Sequence, residues 1–179
     1  MTVDVGYGTV VFDLDGTLVR LAVDWDRVAD AAAETLAARG VEPPADLWRM
    51  LEAADRAGVR PAVESTIAAF ERDGARAADR LKAADTVPAA PTGVCSLNCE
   101  AACRIALETH AIDGVGTVVG RDTVATEKPD PEPLLETVRR LDGDPADTVF
   151  VGDTERDERT AARAAVDYLD VSAWLRAYA

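Results

Sequence analysis

Two carboxylates two residues apart, Asp13 and Asp15, lie in the hexapeptide Asp13-Leu-Asp-Gly-Thr-Leu18, directly after the apolar run Thr9-Val-Val-Phe12. Acids crowded at one place repel each other unless a cation neutralises them. Mg²⁺ takes oxygen ligands and is commonly held by one or two carboxylates together with a substrate phosphate. One carboxylate of such a pair can attack phosphorus while its neighbour passes a proton to the leaving oxygen. Gly16 lets the backbone turn tightly and offers N–H groups near a phosphate, with Thr17 next to it. The competing reading is a strand closed by an ordinary Asp-Gly turn, because turns favour both residues.

Three further polar features recur in comparable places. Ser96 ends the run Val94-Cys-Ser96, where a hydroxyl can bind a phosphate oxygen. Asn98 follows it and can cap a helix, whose N-terminus adds N–H donors. Lys128, in Lys128-Pro-Asp-Pro131, is one of two lysines, the other being Lys82. A compact ammonium can neutralise charge on a nucleophile and on phosphoryl oxygens. Gly152-Asp-Thr-Glu-Arg-Asp157 follows a very apolar stretch and sets Asp153 and Asp157 four residues apart, able to face one cation. The alternatives are a turn serine, a solvated loop lysine and acids that complement a helix dipole. Glu155 and Glu158 fit that last description.

These residues need elements that bring them together. Thr9–Phe12 reads as a buried parallel strand. Helical spacing follows, with Asp24 as a candidate N-cap, Trp25, Val28, Ala32 and Leu36 on one face, and Gly40 as a stop. Pro43 and Pro44 open a second helix. A third stretch after Pro61 carries Val63, Ile67 and Phe70; Gly74 interrupts it, and Ala77, Leu81 and Ala84 continue it. No strand-like run stands out between Arg20 and Thr86. Beyond Pro88 and Pro91, strand and helix alternate: Val94–Leu97, Thr117–Gly120, Thr148–Gly152 and a weaker Tyr168–Val171 read as strands. The pattern predicts an α/β fold: a Rossmann-like parallel sheet core, residues 1–19 and 87–179, with a small helical cap, residues 20–86, inserted after the first strand. Ligands of open parallel sheets bind beyond the carboxyl ends of strands, where these polar features fall.

Composition bounds the partners. The chain of 179 residues carries 33 Asp plus Glu against 19 Lys plus Arg, a formal net charge of −14. Such a surface disfavours nucleic acid and anionic membranes. It leaves room for a small phosphorylated substrate, which a local pocket of cations and backbone N–H groups can hold. Many acids and few lysines also suit high salt, where self-repulsion is screened; a GC-rich genome would give a similar bias. No apolar run approaches a membrane span and no signal-peptide pattern is present, so the expected compartment is the cytoplasm. Cys95, Cys99 and Cys103 form no secreted disulfide framework. Cys99 and Cys103 share a helix face and read as small hydrophobes, with metal binding as the rival reading. His110 reads as a helix C-terminal partner of the dipole. Trp25, Trp48 and Trp174 read as packing residues. Arg20, close to the first motif, and Arg49, Arg56 and Arg60 on the cap are candidates to meet substrate anions.

Taken in order, Asp13-Leu-Asp-Gly-Thr-Leu18, Val94-Cys-Ser96, Lys128-Pro-Asp-Pro131 and Val151-Gly-Asp-Thr-Glu-Arg-Asp157 resemble the haloacid dehalogenase-like hydrolases, in the branch of phosphoglycolate-phosphatase-like members with a helical cap. The resemblance implies a Mg²⁺-dependent phosphatase that works through an aspartyl-phosphate. It makes Asp13 the nucleophile and Asp15 the general acid/base, with Ser96 and Lys128 on the phosphoryl group. It puts Mg²⁺ on Asp13, the backbone carbonyl of Asp15 and Asp153, with Asp157 in support. Gly16, Thr17, Asn98 and Arg20 join the substrate-binding candidates. The retained Asp15 points to phosphoryl transfer, because a leaving alkoxide needs a proton and dehalogenating relatives lack that acid. A phosphosugar mutase with the same intermediate and a non-catalytic phosphate- or metal-binding module are the alternatives.

Overall fold

The computed structural model describes residues 5–179; residues 1–4, part of the expected core segment, lie outside them. Five strands form a wholly parallel sheet in the order β5 (Val115–Val119), β4 (Thr92–Cys95), β1 (Thr9–Phe12), β6 (Thr148–Gly152), β7 (Asp167–Asp170). The first strand is therefore central. Its register, Phe12 beside Val94 on one side and beside Val151 on the other, brings the ends of β4 and β6 level with Asp13. The chain winds away from β1 in both directions, which opens a crevice at the carboxyl ends of the middle strands.

Side chains alternate across the sheet with the period of two that strands impose. Val10, Phe12, Val94, Val118, Val149 and Val151 face one side. There they meet Ala102, Cys103 and Ala106 of α4 (Glu100–Thr109) and Trp174 of α7 (Val171–Tyr178). Val11, Cys95 and Phe150 face the other side. They pack on Leu134 and Val138 of α5 (Glu132–Arg140) and on Ala161 and Ala164 of α6 (Glu155–Ala164). Trp174 is fully buried, stands edge-on to Phe12 with ring centroids 5.3 Å apart, and donates its indole N–H to Thr86 Oγ1 at 2.7 Å. Removing such a side chain costs about 3–5 kcal/mol.

Between β1 and β4 lie α1 (Trp25–Ala37), α2 (Leu47–Arg56) and α3 (Arg60–Arg76). Asp24 caps α1 by accepting from the Arg27 N–H, and Asp46 caps α2. Val28, Ala32, Leu36, Met50, Leu51, Val63 and Ile67 build a cluster of their own. Two expectations for this stretch need correction. A short antiparallel ladder, β2 (Val19–Arg20) with β3 (Asp79–Arg80), joins its two ends. Two-residue strands are too short to show a period. Helix α3 also runs through Gly74 to Arg76, and a 3₁₀ turn (Lys82–Thr86) follows β3 where helical spacing had suggested continuation. Gly74 serves close packing: a Cβ there would lie 2.4 Å from Val23 Cγ2. Ala75 and, just past the helix, Ala78 join the main core while Val63 and Ile67 join the smaller cluster, so α3 is shared by both.

Candidate active site

Asp13 follows β1 directly and is almost fully buried, and its backbone N–H still bonds Val151 O at 2.8 Å. Lys128 Nζ lies 2.8 Å from Asp13 Oδ1 and 2.5 Å from Asp157 Oδ1, and all three side chains are buried. The same ammonium stands 5.4 Å from the centroid of the Phe150 ring in β6. An isolated lysine this deep would lose its charge; two carboxylates hold the Lys128 pKa well above its ordinary value. Burial pushes the Asp13 carboxyl up, the Lys128 charge pulls it down, and the net result is a value raised to about 7.

Oxygens of Asp13, Asp153 and Asp157 all lie within 4.8 Å of one another, the group among the described residues with the donor set for a metal ion. The donors are hard carboxylate oxygens, the chemistry Mg²⁺ prefers. Asp157 is fixed by a capping box: its Oδ2 accepts from the backbone and hydroxyl of Thr154, and Thr154 Oγ1 accepts from the Asp157 N–H. Asp153 is exposed as a residue, yet its carboxyl is partly screened from water, and this desolvation together with the Asp157 charge raises its pKa. Gly16 makes room for it. Its φ is +89°, and a Cβ there would lie 2.2 Å from Asp153 Oδ2, so no larger residue fits this turn.

Asp15 points differently from Asp13. Its Oδ1 accepts from the Leu21 N–H at 2.9 Å, and its pKa is raised, chiefly by burial. Both acids line one cavity of ≈ 200 Å³ together with Ser96, Asn98, Lys128 and Asp157. Ser96 donates to Asn98 Oδ1 at 3.0 Å and accepts from the Asn98 N–H. Asn98 is thereby turned to the serine and does not cap α4. The first free N–H groups there are met by Glu71, which accepts from Cys99, and by Asp122, which accepts from Glu100.

Other candidates stand outside the cavity wall. The Gly16 N–H is taken by Val19 O at 2.7 Å. Thr17 is buried, and its Oγ1 is the buried side-chain oxygen without a partner among the described residues. Arg20 is exposed on β2, and Arg49 and Arg56 are exposed on α2. Arg60 is engaged by Asp55, Glu64 and Glu127. His110 Nε2 lies 3.3 Å from Ala75 O at the end of α4. The three thiols are free and buried; burial pushes Cys95 and Cys99 up to about 12, which keeps them protonated and far from metal-ligand chemistry.

Five residues of the cavity wall were not in the expected set. Trp25 and Trp48, expected to be packing residues, line the cavity along with Leu97 and Thr154. Glu71 lines it as well, fully buried on α3. Its partner is Arg121, which bonds both Glu71 oxygens (2.6 and 3.1 Å), Glu64 Oε2 and Leu97 O. A signal for Glu71 existed: it stands four residues after Ile67 on the apolar stripe of α3, where a lone acid requires a partner.

Comparison with known proteins places this geometry. Residues 7–165 match the family described as haloacid dehalogenase-like hydrolase. The chain is 34% identical to the plasmid-borne phosphoglycolate phosphatase of Cupriavidus necator over 92% of its own length and 80% of that protein. It is 31% identical to the phosphoglycolate phosphatase of Rhodospirillum rubrum, over 91% and 78% respectively. In fold it is similar to a hydrolase from Pseudomonas syringae (TM-score 0.66, 19% identity, 96% of this chain and 90% of that one). It is likewise similar to CbbY from Rhodobacter sphaeroides, solved with phosphate (TM-score 0.63, 22% identity, 92% and 85%). With its paired acids, buried lysine and central parallel strand, the chain belongs to the haloacid dehalogenase-like hydrolases, in their phosphoglycolate-phosphatase-like branch, and is a phosphoric monoester hydrolase.

Proposed function

We propose that this protein is a Mg²⁺-dependent phosphatase acting on a small phosphorylated metabolite through an aspartyl-phosphate on Asp13. The observation that carries the reading is Asp13 itself: a buried carboxylate held at 2.8 Å by Lys128, lining a cavity it shares with Asp15 and Ser96. An Asp13 oxygen attacks phosphorus in line with the ester oxygen, and the bond from phosphorus to that oxygen breaks. Asp15, whose pKa burial raises and which lines the same cavity, is the acid that gives a proton to the departing alkoxide. Lys128 and the Ser96 hydroxyl hold the phosphoryl oxygens. In the second half-reaction Asp15, now ionised, takes a proton from water as the water oxygen attacks phosphorus; phosphate leaves and the Asp13 carboxylate returns. Asp13, Asp153 and the backbone carbonyl of Asp15, with Asp157 in support, would hold Mg²⁺, which would supply positive charge to carboxylate and phosphate oxygens. Positioning and preorganised charge account for most of the rate in such transfers.

The test is phosphate release from a panel of phosphate monoesters with Mg²⁺ and with EDTA, run beside Asp13→Asn. Mg²⁺-dependent release by the parent and none by Asp13→Asn is the expected outcome. Near-normal turnover by the pure variant removes the covalent route. An isomeric ester in place of free phosphate indicates a mutase.

A further inference from the structure

Lys128 is, among the described residues, the one basic side chain that lines the cavity, and Asp13 and Asp157 already engage it. Four acids, Asp13, Asp15, Glu71 and Asp157, line the same space. The nearby arginines do not reach in. Arg121 is buried against Glu71 and Glu64, Arg60 is tied to three acids, and Arg156 and Arg159 line a separate hollow on the far side of Trp48, Leu97 and Thr154, with the Arg156 guanidinium 4.7 Å from the centroid of the Trp48 ring. Once a phosphoryl group is seated against Asp13 and Lys128, the surfaces left for the rest of the ester are Trp25, Trp48 and Leu97, with Asn98, Thr154 and Glu71 beside them; Asn98 is already turned to Ser96 and Thr154 to Asp157.

A second anion on the leaving group would enter this space unpaired and next to acids, a costly burial. An uncharged ring would instead lie against apolar and aromatic surface, where Trp offers a large flat face. The cavity, at ≈ 200 Å³, is below the about 300–1,000 Å³ of clefts that take drug-sized ligands, so its occupant is small. Trp25 is 40% exposed, the exposed large hydrophobic among the described residues, and packing within the core does not account for it.

We propose that the preferred substrate is the phosphate monoester of an uncharged, ring-sized alcohol, and that Trp25 and Trp48 select it. The inference rests on the phosphatase reading. It also separates this chain from the activity named for its relatives, since phosphoglycolate carries a second anion, a carboxylate, on its leaving group.

Purified protein with Mg²⁺ is assayed on benzyl phosphate and a hexose monophosphate against phosphoglycolate and a hexose bisphosphate. The neutral ring esters are expected to lead in kcat/KM by about tenfold or more, the scale on which one unpaired group discriminates. Trp25→Ala and Trp48→Ala are each expected to narrow that lead through a higher KM for the ring esters. Trp25 is exposed enough that its removal leaves the fold in place, and circular dichroism checks both variants. Phosphoglycolate or the bisphosphate ahead of the ring esters overturns the substrate class and leaves the phosphatase reading standing. An unchanged lead in both variants overturns the role of the tryptophans. No hydrolysis of any ester overturns both the inference and the reading beneath it.

Discussion

Asp13 combines two opposed influences, burial that raises its pKa and the Lys128 ammonium that lowers it, and burial prevails at about 7. The folded chain therefore keeps a proton that the unfolded chain loses near the ordinary carboxylate value. The sign follows: the contribution of this group to stability is present at acid pH and is lost as pH rises through about 7. A cation at Asp13, Asp153 and Asp157 favours the ionised carboxylate and competes with that proton. Mg²⁺ is expected to bind about tenfold more tightly near pH 8 than near pH 6, with proton release, as read by calorimetry in buffers of different ionisation enthalpy. Equal affinity at the two pH values would mean that Asp13 is ionised before the metal arrives. The acids and the serine stood out in the sequence because they lie at or just past the ends of short, strongly apolar runs, and Lys128 because it is one of two lysines in the chain. Glu71 and Arg121 were not read, since their pairing spans fifty residues and joins a helix to a loop.

Helix α3 ties the helical stretch after β1 to the loop that carries Ser96 and Asn98. Its Glu71 accepts from Asn98 Nδ2 and the Cys99 N–H, while Arg121 bridges Glu71 to Leu97 O. With both side chains essentially inaccessible, removing one partner leaves an uncompensated buried charge. Arg121→Met is expected to cost about 3–5 kcal/mol in urea unfolding. The double replacement Glu71→Met with Arg121→Met is expected to cost less than the two single changes together, because neither charge is then left alone. Strict additivity would mean that the pair is not coupled. At this scale the main strands were readable to within a few residues, since their apolar runs exceed the local background. The β2–β3 ladder was not: Val19, Arg20, Asp79 and Arg80 carry no pattern, and their pairing depends on the helices between them.

Across the whole molecule, 33 acids against 19 basic residues give a net charge of −14, and the resulting self-repulsion opposes the folded state. Salt screens repulsion between exposed charges over about 10 Å at roughly 0.1 M and over less at higher concentration. The melting temperature and the Mg²⁺-dependent rate are therefore expected to rise with KCl; a melting temperature that falls steadily with KCl would show that attractive surface pairs outweigh the net repulsion. Among the described residues, no helix is long and apolar enough to cross a membrane. The sequence by itself determined the parallel α/β core and singled out Asp13, Ser96 and Asp153 just past its strands and Lys128 in the loop before α5, because buried strands need uninterrupted apolar runs and polar side chains directly after them stand out. Only the tertiary structure decided that Trp25 and Trp48 face the cavity, that Asn98 turns to Ser96 and leaves the α4 cap to Glu71 and Asp122, and that the candidate arginines lie outside. Those outcomes depend on how helices far apart in the chain pack on the sheet, and local spacing does not encode that.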